Sequence, residues 1–134
     1  MKLINETKVF VNGTFDVLHA GHLALLNYAK SLGDYLIVGI DTDERVKQFK
    51  GELRPINCIK DRIDFMNSIK YVNSSVSFST DKELCDRIKE WNTDIIVVGN
   101  DYKDKKVIGS HLVKEVIFFE KIDGYSSTKI IESK

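Results

Sequence analysis

Two short segments of the chain are almost wholly apolar. They read Y-L-I-V-G-I at residues 35–40 and D-I-I-V-V at residues 94–98. A strand that is apolar on both faces is typical of a parallel sheet that helices cover on both sides. Segments with apolar residues at helical spacing separate these strands. The alternation predicts an α/β fold: one doubly wound, Rossmann-like domain over residues 1–134, with a five-stranded parallel sheet and helices on both faces.

The predicted elements follow from the spacing of apolar residues and from turn signals. The strands cover residues 8–12, 35–40, 72–78, 94–98 and 116–119. The helices cover residues 21–32, 43–49, 59–69, 81–91 and 126–134. In folds of this kind, ligands bind at the carboxyl ends of the strands, near the switch in strand order. Three loops leave such ends, at residues 13–14, 41–43 and 99–101.

The overall composition argues against several classes of partner. The 20 basic and 20 acidic residues cancel, so the chain has no net attraction to nucleic acid or to an anionic membrane. No apolar run approaches the ~20 residues that a bilayer span needs, and the N-terminus lacks the apolar segment of a secretory signal. Cys58 and Cys85 have no C-x-x-C partners, which favours a reduced protein. We therefore expect a cytoplasmic protein that binds neither nucleic acid nor membrane.

Two of the three histidines, His19 and His22, lie three positions apart after the first predicted strand. This spacing puts them on one face at the start of a helix, where free N–H groups and a partial positive charge attract phosphate. We expect Gly13 to let the backbone approach a ligand and Gly21 to leave room between the rings. A zinc site would need a third ligand, which nothing nearby supplies at helical spacing. From the spacing alone, a chance pair of surface histidines stays an alternative.

The segment G-T-F-D-V-L-H-A-G-H at residues 13–22 resembles the H-x-G-H signature of nucleotidyltransferases in the cytidylyltransferase-like superfamily. The resemblance continues, in order, through L-G-D-Y-L-I-V-G-I-D-T-D, K-G-E-L-R-P-I-N, V-V-G-N-D-Y-K and D-G-Y-S-S-T-K-I-I. It implies transfer of a nucleotidyl group from ATP or CTP to a phosphorylated sugar or polyol, with release of pyrophosphate. Because the attacking phosphate is already an anion, positioning and charge neutralisation can carry the catalysis.

Two branches of the superfamily are similar to the chain. The N-G before the signature, the R-P-I-N turn and G-N-D-Y-K followed by I-G-S resemble the adenylyltransferase domain of ADP-heptose synthase. We therefore expect a heptose-1-phosphate-type adenylyltransferase. The alternative is glycerol-3-phosphate cytidylyltransferase, which the chain matches in length. Against it, Lys121 stands where that branch has an arginine, and G-N-D-Y replaces its G-D-D-W segment. An alternative of another class is a nucleotide-binding module without turnover.

The resemblance also implies roles for single residues. His19 and His22 would hold the triphosphate, and Lys47, Lys50 and Arg62 would neutralise phosphate charge as further catalytic residues. Asp16 would contact the acceptor or help to place Mg²⁺, and Lys50 would also reach the acceptor. The implied nucleotide-binding residues are Gly13, Thr14, Phe15, Gly21, Asp101, Ser127 and Thr128.

Each of these assignments has a structural alternative. The lysines also fit a solvated helix face, Arg62 a surface ion pair with Asp61 or Asp64, and Ser127 or Thr128 a helix cap. Asp101 also fits a turn. The resemblance implies Mg²⁺ as the cofactor of the triphosphate, and the sequence shows no all-protein metal cage for it. It further implies a homodimer.

Overall fold

The structure, a computed structural model, describes residues 6–99 and 105–120. Its strands are β1 (Lys8–Gly13), β2 (Tyr35–Asp41), β3 (Ser74–Phe78), β4 (Ile95–Gly99) and β5 (Glu115–Phe119). They form one parallel sheet in the order β3-β2-β1-β4-β5. The predicted five-stranded parallel sheet is confirmed.

The described helices are α1 (Ala20–Ser31), α2 (Asp43–Lys50), α3 (Ile59–Asn67) and α4 (Asp81–Glu90), with a 3₁₀ turn at Ser110–Leu112. Each of the four α-helices lies in a segment that the sequence predicts to be helical. Thr80 caps α4 by accepting the backbone N–H of Glu83 at 3.1 Å, while the Glu83 carboxylate accepts the backbone N–H of Ser79 at 2.6 Å. The helix predicted over residues 126–134 lies outside the described residues, and none of the described helices is long and apolar enough to cross a bilayer.

Helices cover the sheet on both faces because successive strand residues point to opposite sides. On one face, Val9, Val11 and Val38 pack with Leu26 of α1 and Met66 of α3. On the other face, Phe10, Ile37 and Ile96 pack with Leu84 and Ile88 of α4. All of these side chains are buried. The helices on both faces are therefore confirmed as well.

The topology places the switch in strand order beside β1. From β1 the chain moves outward through β2 to β3, and it then crosses over to β4 on the other side of β1. The carboxyl end of β1 at Gly13 lies beside Ile40 of β2, and Val11 lies beside Val97 of β4. The loop from Gly13 to His19 therefore leaves the sheet where open α/β folds bind their ligands.

Two boundaries differ from the prediction by two residues each. The prediction starts the third strand at residue 72, but the Val72 backbone N–H donates to Ile69 at 3.1 Å, within a turn. The strand begins at Ser74, which pairs with Ile37. The helix predicted to end at residue 69 ends at Asn67, because its last bonds tighten from Ile69 to Met66 and from Ser68 to Phe65. Tightened last turns of this kind are common at helix ends.

Candidate active site

The two histidines form the cap of α1. His19 is the N-cap residue, with extended backbone angles, and its Nδ1 accepts the backbone N–H of Gly21 at 3.1 Å. His22 reaches back, and its Nδ1 accepts the backbone N–H of His19 at 3.2 Å. This is the reciprocal arrangement of a capping box, made here by two imidazoles in place of a hydroxyl and a carboxyl group.

The cap fixes the tautomer of both rings. A nitrogen that accepts a hydrogen bond carries no proton, so in each neutral imidazole the proton belongs to Nε2. The rings are stacked, with centroids 3.9 Å apart and planes inclined by 26°. The amino end of α1 therefore combines two Nε2–H donors with its own backbone N–H groups and partial positive charge. That set of donors suits an extended anion such as a polyphosphate.

Phe15 supports the histidines from the loop before them. Its ring is 5% exposed and meets the His22 ring edge to face, with centroids 5.5 Å apart. The residue adopts a φ of 50°, which non-glycine residues adopt uncommonly. A Cβ atom on Gly13 would lie 3.1 Å from Cε2 of the Phe15 ring. In this structure, Gly13 makes room for the phenylalanine that supports His22, whereas the sequence predicted close approach of a ligand at this position.

Thr14 is tied to the end of β2. Its hydroxyl donates to Oδ2 of Asp41 at 3.0 Å. The other carboxylate oxygen of Asp41 accepts from Nε of Arg45 at 3.2 Å. The hydroxyl proton of Thr14 is therefore already engaged by a carboxylate, so the predicted phosphate contact of this residue would involve its backbone or a rotated hydroxyl.

Arg62 is enclosed by protein, with 0% of its side chain exposed. Its Nε donates to the carbonyl of Asn57 at 2.9 Å, and its Nη1 donates to the carbonyls of Thr14 and Asp41 at 2.9 and 2.7 Å. Its Nη2 pairs with Oδ1 of Asp43 at 2.6 Å. A direct contact with phosphate, as predicted from the sequence, would require Arg62 to leave these partners. The geometry favours a positioning role, in which Arg62 joins the loops that follow β1 and β2 to the start of α3.

Asp16 is buried as well, and it joins the loop after β1 to the segment before α3. Its two carboxylate oxygens accept the backbone N–H groups of Ile56 and Asn57 at 2.7 and 2.8 Å. The Asn57 side chain donates to the Asp16 carbonyl at 2.6 Å. Backbone donors of this kind satisfy a buried carboxylate without any ligand. The predicted contact of Asp16 with the acceptor or with Mg²⁺ therefore competes with a structural role that the residue already has.

Lys47 and Lys50 lie in the last turn of α2, and both are exposed. The segment after them, which begins at Gly51 with a φ of 94°, returns to Asp16 through Ile56 and Asn57. Both lysines therefore lie on the connection that leads from β2 back to the β1 loop. Asp101, Ser127 and Thr128, predicted to contact the nucleotide, and Lys121 lie outside the described residues.

The structure identifies residues at this edge that the sequence interpretation did not assign to the site. Asp41, Asp43 and Asn57 accept hydrogen bonds that hold the loops in place, and Arg45 links Asp41 to Asp81 at the start of α4 through a 2.8 Å contact. Arg54 approaches Asp16 with its Nε at 3.5 Å from Oδ2. The sequence signal that could have assigned Asp41 and Asp43 to the site was their position, because residues 41–43 directly follow an apolar strand.

Comparisons with known proteins identify relatives of the chain. A family model described as Cytidylyltransferase-like matches residues 10–133. The chain is 43% identical over 134 residues to the bifunctional protein HldE of Helicobacter hepaticus. The alignment covers 99% of this chain and 28% of that protein. The chain is 46% identical over 124 residues to the bifunctional protein HldE of Nitratiruptor sp., covering 92% and 27%. The chain thus spans little more than a quarter of the length of these curated relatives.

Solved structures share the fold. The lipopolysaccharide core biosynthesis protein of Thermoplasma volcanium has a TM-score of 0.72 at 27% identity, over 88% of this chain and 99% of that one. A pantoate-beta-alanine ligase of Francisella tularensis shares the fold alone, with a TM-score of 0.61 at 16% identity over 98% of this chain and 70% of the ligase. The family match over nearly the whole chain confirms the resemblance drawn from the H-x-G-H segment. The chain therefore belongs to the cytidylyltransferase-like family of nucleotidyltransferases.

Proposed function

We propose that the chain transfers an adenylyl group from ATP to a heptose 1-phosphate, with release of pyrophosphate. The observation that carries the proposal is the pair of stacked imidazoles at the amino end of α1, beside the switch in strand order. Both rings have Nδ1 engaged by backbone N–H groups, so both offer Nε2–H donors. The curated relatives are bifunctional proteins named HldE, and the R-P-I-N and G-N-D-Y-K segments resemble the adenylyltransferase domain of ADP-heptose synthase.

The geometry supports a mechanism in which the protein positions charge. A phosphate oxygen of the acceptor attacks the α-phosphorus of the triphosphate, and the bond from that phosphorus to the bridging oxygen breaks. His19 and His22 donate hydrogen bonds to phosphate oxygens as negative charge moves toward the pyrophosphate. Lys47 and Lys50 supply further positive charge from α2. Since the attacking oxygen is ionised, no residue has to remove a proton from it.

We further propose that Mg²⁺ accompanies the triphosphate. Within residues 6–99 and 105–120 there is no group of three histidine, cysteine or acidic residues that could hold a metal ion. Such an ion would be held chiefly by phosphate oxygens and water, as is common for Mg²⁺. When bound, it would neutralise charge on the triphosphate.

The experiment is a pyrophosphate-release assay with the purified chain. ATP and CTP are each tested with heptose 1-phosphate and with glycerol 3-phosphate in the presence of Mg²⁺. We expect the highest kcat/KM for ATP with heptose 1-phosphate. A preference for CTP with glycerol 3-phosphate would establish the cytidylyltransferase alternative. Nucleotide binding without pyrophosphate release, for every pair, would instead establish a binding module.

The resemblance also supports a homodimer as the active form. Light scattering of the purified chain during gel filtration measures its mass in solution. A mass of one chain at the concentration used in the activity assay would contradict this part of the proposal.

A further inference from the structure

Arg54 lies in the connection between α2 and α3, next to the loop that carries the histidines. Its Nε approaches Oδ2 of Asp16 at 3.5 Å. Asp16 in turn lies three residues before His19. Because Ile56 and Asn57 bind the carboxylate of Asp16, the backbone that carries Arg54 is held against this loop. The guanidinium group is therefore placed at the carboxyl edge of β1 by a fixed segment of chain.

The guanidinium group of Arg54 is poorly satisfied by the protein. Its side chain is 14% exposed, and Nη2 is buried with no hydrogen-bond partner among residues 6–99 and 105–120. The contact of its Nε with Asp16, at 3.5 Å, is at the long limit of a hydrogen bond. A buried N–H group of a charged side chain is costly to leave without an acceptor. An anion at this place would supply the acceptor.

The neighbouring arginine provides a contrast within the same site. Arg62 is fully buried, and its nitrogens donate to three carbonyl groups and one carboxylate. The Asp16 carboxylate is likewise satisfied, because two shorter backbone hydrogen bonds bind it. Asp16 therefore does not require Arg54, and Arg62 has little donor capacity left. Of these two arginines, Arg54 is the one with donors to give to a ligand.

The topology indicates which substrate Arg54 would meet. The switch in strand order lies between β1 and β4, and open α/β folds bind the nucleotide there. Arg54 belongs to the connection between β2 and β3, on the other side of β1. A planar guanidinium group binds a phosphate through two parallel hydrogen bonds. We propose that Arg54 binds the phosphate group of the acceptor, a sugar 1-phosphate, rather than the triphosphate; this inference rests on the proposed function.

Binding measurements test the inference without turnover. Mannose 1-phosphate and inorganic phosphate are titrated by calorimetry into the whole chain, with and without a saturating non-hydrolysable ATP analogue. We expect Arg54→Gln to weaken mannose 1-phosphate binding by about 10- to 100-fold, the range for a charge-assisted hydrogen bond. Affinity for the ATP analogue should stay at the wild-type value. Arg54→Lys keeps the charge without the planar fork and should bind mannose 1-phosphate with intermediate affinity.

The matched control is Arg87→Gln on α4. Arg87 donates to the Ser77 carbonyl and to Glu90, and the variant should bind both ligands as the wild type does. Thermal unfolding identifies any variant that fails to fold, and Arg54→Lys then carries the test. Three results would overturn the inference: wild-type affinity for mannose 1-phosphate in Arg54→Gln, an equal loss of affinity for the ATP analogue, or no binding of either phosphate by the wild type. Binding of mannose 1-phosphate through Arg54, together with no pyrophosphate release from ATP and heptose 1-phosphate, would instead overturn the proposed function alone.

Discussion

Replacing Arg62 by methionine removes the group that joins three loops and keeps a side chain of similar length. The guanidinium group donates to the carbonyls of Asn57, Thr14 and Asp41. It also pairs with the Asp43 carboxylate at 2.6 Å. Arg62→Met deprives all of these acceptors of their donor at once.

The expected loss of stability follows from these contacts. A buried carbonyl left without its donor costs about 1–3 kcal/mol, so about 9 kcal/mol is the upper limit for three together, and these three are only partly buried. Methionine recovers part of this by burying its apolar atoms, and water reaches Asp43, whose side chain is 34% exposed. We expect the free energy of unfolding to fall by about 3–5 kcal/mol, well below that upper limit. With an unfolding entropy of about 280 cal/mol/K for a chain of this length, Tm falls by about 11–18 °C.

Thermal and urea unfolding of the two proteins, followed by circular dichroism, measure this loss. The control is Arg87→Met, because Arg87 is 32% exposed and pairs with an exposed glutamate; its loss should be about 1 kcal/mol or less. A loss of unfolding free energy in Arg62→Met no larger than in this control would refute the positioning role of Arg62. If that stable variant also lost affinity for phosphate, Arg62 would be the ligand-binding arginine that the sequence predicted.

Two further substitutions test the neighbouring contacts. Asp16→Asn places an amide group against the backbone N–H of Ile56 or Asn57. The unfolding free energy in urea should fall by about 2–3 kcal/mol, and proteolysis between residues 51 and 57 should become faster. Unchanged stability and proteolysis would show that Asp16 does not hold this segment in place. Gly13→Ala puts a methyl group 3.1 Å from the Phe15 ring and should cost about 1–3 kcal/mol of unfolding free energy through overpacking. Adding Phe15→Leu should restore part of that stability, and no recovery in the double variant would show that the ring is not the obstacle.

The sheet was predictable because its signal is local. Residues 35–40 and 94–98 are apolar on both faces, and this pattern alone specifies buried parallel strands. The weak point was residue 72, where a valine beside a polar stretch looks like the start of a strand. Its backbone N–H instead bonds to Ile69, and the Asn73 side chain accepts the backbone N–H of Leu36 at 2.8 Å. That contact joins residues 37 positions apart, so no local pattern reveals it.

The histidine pair was predictable for the same reason, whereas the roles of Arg62 and Asp16 were not. The spacing of His19 and His22 places both in the first turn of one helix, and the rings are indeed stacked there. Arg62 was predicted to contact phosphate, and a surface ion pair with Asp61 or Asp64, which lie nearby in sequence, was the alternative. In the structure Asp64 pairs with Lys60, and Arg62 shares the buried face of α3 with Met66, four residues on. Its partners come from residues 14, 41, 43 and 57, and only the folded chain brings them together.

The most direct test of the central claim is a crystal structure of the chain with a non-hydrolysable triphosphate and Mg²⁺. The account predicts Nε2 of His19 and Nε2 of His22 within hydrogen-bond distance of phosphate oxygens, with both Nδ1 atoms still accepting the backbone N–H groups of the α1 cap. A nucleotide bound elsewhere, or histidine rings turned away from its phosphates, would contradict it.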